Sequence, residues 1–285
     1  MIEKKKRQIR IGEAVDTGAT YAVLLLVAAI FFFPCLWLIL ASFSKSGSIY
    51  SFDGFFPKTY SMDTFRKLFT DTSLYNYPRW FKNTLYVAAG SCILGTFLTI
   101  LTAYTMSRFT FRARKPLMKA TMVLGMFPSF MGMTAVYLLM TQFGLINRLT
   151  GLILIYAAGA PMGYLTQKGF FDTIPKAIDE AAKIDGATPS QILKNVTIPM
   201  VMPSITICSF LTLTNSFKLF DQNLALTAGE PSNNSQMLAL NIFDTFYGRN
   251  GWEGVGQAKA VIFFIIVAVI ALAQNRLTRS KEVQQ

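Results

Sequence analysis

Six stretches of the chain contain no Asp, Glu, Lys or Arg over at least 16 residues: 17–44, 83–107, 120–147, 149–167, 195–217 and 260–275. Crossing a hydrocarbon core of about 30 Å takes roughly 20 helical residues. The first five stretches can each hold a span, the fifth starting its membrane helix near Pro199. The sixth reaches spanning length if its helix begins near Val255 and Lys259 snorkels to the interface. The pattern predicts an all-α polytopic membrane protein with six transmembrane helices, at about 20–42, 84–107, 119–141, 149–167, 199–219 and 255–275. Residues 1–16 form a short N-terminal segment and 276–285 a tail. The first span is too long for a cleaved signal, and it places Pro34 and Trp37 where a signal has small residues.

Composition supports a membrane class. Hydrophobic residues make up 52% of the 285 and charged residues only 15%, against about 25% in a soluble domain. Histidine is absent, which excludes His-based triads, His-ligated zinc and imidazole relays. The net charge of +12 points away from nucleic acid and towards basic cytoplasmic loops. Cys35, Cys92 and Cys208 lie in apolar stretches without pair spacing and read as small buried hydrophobes.

Basic residues orient the bundle. With an even number of spans both termini share a side, and that side holds 17 of the 27 Lys and Arg. The short second loop is the most decisive: Arg108, Arg112, Arg114, Lys115 and Lys119, with no acid. Both termini are expected in the cytoplasm. The long outer loop 45–82 is expected to be helical around 63–69, and 235–247 to form an amphipathic helix at the outer interface.

The fourth loop carries the most pattern. Pro175 suits the first position of a helix, with Asp179 and Glu180 near its positive end. Ile178, Ala181 and Ala182 follow i, i+3, i+4 spacing and form a small apolar face. Gly186 follows the last turn, where a left-handed C-cap is usual. Thr188-x-x-Gln191 is a capping box opening a second helix, which Pro199 closes or kinks into the fifth span. Helix, tight turn, helix is therefore expected over 174–199. Such a hairpin suits packing on its own bundle. It equally suits docking a partner, and the flat Ala181/Ala182 face beside exposed acids favours docking. The chain has no G-x-x-x-x-G-K-[S/T] phosphate loop, so ATP chemistry would belong to another chain.

The string Ile174-Pro-Lys-Ala-Ile-Asp-Glu-Ala-Ala-Lys-Ile-Asp-Gly-Ala187, with Val196-Thr-Ile-Pro199, resembles the EAA loop of permease subunits of bacterial ABC importers. Pro34-x-x-Trp37, Trp80-Phe-Lys-Asn83, Ala103-Tyr-Thr-Met-Ser-Arg108-Phe and Gly169-Phe-Phe resemble the carbohydrate, maltose-type branch. A family pattern Trp-Asn-Glu-Phe late in the fifth span is replaced here by Asn215-Ser-Phe-Lys-Leu-Phe-Asp221.

The resemblance implies a type I importer permease in a bacterial plasma membrane, itself not an enzyme. It implies pairing with a second homologous permease, two ATPase subunits that bind the ATP and Mg, and an extracellular binding protein that delivers a sugar. No cofactor is implied in this chain and no nucleic acid. Glu180, Ala181, Ala182, Asp185, Gly186 and Ala187 would dock the ATPase, and its closure would swing the spans.

Pathway candidates come from polar or adaptable residues in the spans. Thr212, Asn215 and Ser216 share part of one helix face. Met126 and Met131, beside Phe127 and Pro128, suit an apolar gate, and Tyr137 and Tyr156 suit stacking on a sugar ring. Each of these also suits ordinary packing or interfacial anchoring. The rivals are a membrane enzyme, a secondary transporter, and an ABC permease for an amino acid, polyamine or ion. The first two usually keep an ionisable residue inside the spans, and the six stretches have none.

Overall fold

The computed structural model describes residues 2–45, 56–70, 76–159 and 163–279. Its elements in order are α1 (Ile2–Ser42), α2 (Asp63–Thr70), α3 (Tyr77–Arg108), α4 (Arg114–Leu124), a 3-10 turn (Ser129–Gly132), α5 (Met133–Gln142), α6 (Leu149–Gly159), α7 (Tyr164–Thr173), α8 (Lys176–Ile184), α9 (Pro189–Ile192), a π-helical segment (Leu193–Thr197), α10 (Ile198–Met200), α11 (Met202–Phe217), α12 (Asp221–Leu226), α13 (Leu238–Tyr247) and α14 (Glu253–Arg279). Apart from one isolated bridge, Ser44 to Tyr60, the described residues hold no strand pairing. The expected outer-loop stretches 46–55 and 71–75 and the end of the tail lie outside the described residues.

Among the described residues, three helical stretches are long and apolar enough to cross a membrane: Thr17–Ser42, Tyr77–Arg108 and Glu253–Thr278. Two bent pairs also qualify when each is taken as one span, α6 with α7, bent by 49°, and α9–α10 with α11, bent by 70°. The third expected span, over about 119–141, is not a continuous helix. It ends as α4 at Leu124, passes a 3-10 turn and resumes as α5 at Met133. Pro128 lies in this gap. Its missing N–H and its clash with the preceding turn oppose an unbroken ladder, an interruption that hydropathy does not register.

The chain divides into two compact units: residues 1–67 with 245–261, and 68–244 with 262–285. In the first, Ser61 N–H donates to Phe43 O at 2.8 Å and the Phe43 and Phe65 rings lie 4.7 Å apart, fixing the exit of α1. Lys259 belongs to this unit and does not snorkel. It is 2% exposed, and its Nζ donates to Thr245 Oγ1 at 2.8 Å. A neighbouring hydroxyl on α13 gives the ammonium a partner within the protein.

The second unit is organised around α3, which packs along α6, α7 and α11. Gly90 permits the approach of α6: a Cβ there would sit 2.8 Å from Ile153 Cδ1. Near the N-terminal end of α3, Asn83 Nδ2 donates to Asn234 O and Gln236 O at 2.8 and 3.0 Å, and Leu238 N–H donates to Thr84 Oγ1 at 2.8 Å. These bonds pull the first turn of α13 inward, so Leu238, Leu240 and Asn241 are buried. One face of α13 thus packs on its own chain while Phe243 and Tyr247 stay exposed, and α3 supplies partners for its N-terminal backbone. Cys208 is buried, while Cys35 is exposed within the chain.

Candidate functional site

The fourth loop folds as helix, turn, helix. Pro175 has φ −59° and ψ 133° and caps α8 from outside, so the helix starts at Lys176, one residue later than expected. Gly186 follows with φ +84°. Its N–H donates to Lys183 O at 3.0 Å, and Ala187 N–H donates to Ala182 O at 2.9 Å. These two bonds are the Schellman pair that satisfies the last carbonyls of a helix. Thr188 then opens α9 with the expected capping box: its N–H donates to Gln191 Oε1 at 2.8 Å, and Gln191 N–H donates to Thr188 Oγ1 at 3.4 Å. Pro199 follows the π-helical segment, and the chain bends into α11.

Burial separates the two faces of α8, and the partition is offset from the sequence reading. Ile178 packs against the cluster of Ala103, Met106, Phe171, Ile174 and Val201 and so belongs to the chain's own core. Ala177, Glu180, Ala181 and Ile184 are exposed, at i, i+3, i+4 and i+7 spacing. Ile184 is 86% exposed, although it is apolar and sits on a capped, ordered turn. It was missed because it lies off the Ile178/Ala181/Ala182 stripe, about 240° round the helix from Ile178. Asp185 and Gly186 are exposed beside it, and Ala182 and Ala187 are half-buried.

The second unit carries an open cavity of about 400 Å³, within the range of small-molecule sites, about 300–1,000 Å³. Thr212, Asn215 and Ser216 line it, as their spacing on α11 suggests, with Thr99, Tyr156, Thr166 and Gln167 opposite. Gln167 is itself buried and hydrogen-bonded to Ser204. The lining is hydroxyl, amide and apolar, with no charged side chain. Thr99, Thr166 and Gln167 went unnoticed because single polar residues in apolar helices most often satisfy a neighbour.

Met126, Met131 and Tyr137 do not join this cavity. Met126 is 82% exposed, and Met131 and Tyr137 are exposed as well. Of the two tyrosines suited to stacking on a sugar ring, Tyr156 lines the cavity and Tyr137 does not.

Residues 95–283 match the family described as binding-protein-dependent transport system inner membrane component. The chain belongs to that family. It is 35% identical over 261 residues to the galactooligosaccharides transport system permease protein of Bacillus subtilis (strain 168), covering 90% of each. A shorter match, 50% identical over 115 residues, is to the probable starch degradation products transport system permease protein of Thermoanaerobacterium thermosulfurigenes. That match spans 40% of this chain and 39% of that one. Among solved structures, a chain of a bacterial ABC transporter involved in the import of the acidic polysaccharide alginate superposes with a TM-score of 0.73. It is 20% identical, and the match covers 89% of this chain and 92% of that one. This likeness supports the type I importer permease fold expected from the EAA loop. The protein is a multi-pass membrane permease of an ABC importer rather than an enzyme.

Proposed function

We propose that the chain forms half of the translocation pathway for a neutral sugar or oligosaccharide, beside a second homologous permease and above two ATPase subunits. An extracellular binding protein delivers the solute. The observation that carries this reading is the exposed stripe Ala177, Glu180, Ala181 and Ile184 on a helix closed by a Schellman turn and followed by a capping box. A rigid, apolar and acidic knob is suited to a cleft in a partner chain. The uncharged, hydroxyl- and amide-lined cavity favours a polyol over an ion, as do relatives named for starch degradation products and galactooligosaccharides.

Co-purification tests the assembly. A tagged chain expressed with its neighbours should bring down a second permease and an ATPase. By itself it should hydrolyse no ATP, and robust hydrolysis by a clean preparation of this chain would contradict the division of labour. The proposed orientation has both termini in the cytoplasm. A cysteine at exposed Lys58 should then react with a membrane-impermeant maleimide in intact cells, and one at exposed Arg112 only after lysis. The reverse pattern would put α8 on the wrong side for any ATPase.

A further inference from the structure

Arg108, the last residue of α3, reaches α8 across 71 positions of sequence. Its Nε lies 3.6 Å from Asp179 Oδ2, with side chains only 9% and 19% exposed, and its Nη1 donates to Ile174 O at 3.3 Å. Beside it Ser107 Oγ donates to Asp172 Oδ1 at 2.6 Å, and Asp172 pairs with Lys168. The end of α3 is therefore tied by polar contacts to both α7 and α8. Covalently, α8 joins only α7 and, through the Gly186 turn, the segment that leads to α11. The α3 helix is the element along which α6, α7 and α11 pack.

We propose that Arg108 is a positioning residue that, through Asp179, transmits displacement of α8 directly to α3. This rests on the reading of α8 as the element that meets the ATPase. A pair this shielded is weakly screened by salt, so it holds direction where a surface pair would not. The contact also has unused capacity. Arg108 Nε and Nη2 and Asp179 Oδ1 have no hydrogen-bond partner, so movement of α8 towards α3 closes the pair to a bidentate contact at about 2.8 Å. The apolar contact of Ile178 with the core keeps α8 seated on the bundle. The ionic contact sets how firmly α3 follows it.

The test uses the full complex in proteoliposomes, with ATPase subunits and binding protein. The probe is a radiolabelled maltodextrin, or a galactooligosaccharide if the wild-type complex imports that instead. Sugar moved per ATP hydrolysed is measured for wild type, Arg108→Gln, Asp179→Asn and the double variant. Each single change is expected to lower that ratio about tenfold, because one buried charge loses its partner. The double variant should be no worse than the worse single, because the two residues act as one contact. The inference is overturned by single variants with a wild-type ratio, or by losses that multiply in the double variant. It is also overturned if fewer complexes are recovered but those that survive couple normally, which is a folding role only. A wild-type complex that imports no sugar under ATP would overturn the functional reading and this inference together.

Discussion

Gly186→Val is expected to abolish ATP-driven uptake while the membrane spans still fold. Gly186 has φ +84°, a region that costs an ordinary L-residue about 1–2 kcal/mol and a β-branched residue more. No heavy atom lies within 4 Å of a Cβ built there, so the penalty is in the backbone and not in a clash. The turn can relieve it only by giving up the Schellman bonds that fix α8 against α9. Gly186→Asn, which tolerates a left-handed conformation, should keep most of the transport. Glu180→Lys should produce the same loss by another route. Glu180 is exposed within this chain, so its reversal leaves the fold alone and acts at the proposed ATPase contact. Leaving a partly buried interfacial charge unpaired costs about 2–5 kcal/mol, or about 30- to several-thousand-fold in affinity. Uptake and recovery of each subunit decide the matter. Normal uptake in Gly186→Val and Glu180→Lys together would remove α8 from the coupling route.

Filling the cavity should separate transport from hydrolysis. Thr212→Trp places an indole among Thr99, Gln167, Asn215 and Ser216. The indole takes up open volume that the solute needs, and misfit of that kind costs about 1–3 kcal/mol, which is about 5- to 150-fold. Sugar uptake should fall by that factor. ATP hydrolysis stimulated by loaded binding protein should persist, because the α8 surface is untouched. Thr212→Ser keeps the hydroxyl and should import sugar at near the wild-type rate. Unimpaired uptake in Thr212→Trp, with the complex intact, would place the translocation path elsewhere.

What the sequence revealed of this fold is what local chemistry determines. The Gly186 turn, the Thr188 capping box and the start of α9 at Pro189 each depend on residues within a few positions. The long apolar helices 17–42, 77–108 and 253–278 are equally local, since hydropathy over about 20 residues decides them. Tertiary context decided the rest. Which side of α8 is free depends on Ile178 finding Ala103 and Met106, about 75 positions earlier, and periodicity around one helix cannot show that. The inward turn of α13 depends on Asn83 and Thr84 far upstream. The segment around Lys259 by itself suggests snorkelling, because its hydroxyl partner, Thr245, sits on another helix. The break between α4 and α5 was marked by Pro128, yet an unbroken apolar run outweighed it in the sequence reading. On α11 the spacing of Thr212, Asn215 and Ser216 did indicate a shared face. The opposing Thr99 and Gln167 come from α3 and α7, and only the packing of those helices brings them there.

On the proposed reading, this permease moves a sugar at the expense of ATP hydrolysed by a partner and signalled through α8. The most direct measurement is uptake by proteoliposomes holding the purified complex, with loaded binding protein outside and ATP sealed inside. Maltodextrin or galactooligosaccharide accumulation is expected to require ATP and binding protein and to be lost in Gly186→Val. Accumulation that proceeds without ATP on an ion gradient, or that survives Gly186→Val undiminished, would contradict that reading.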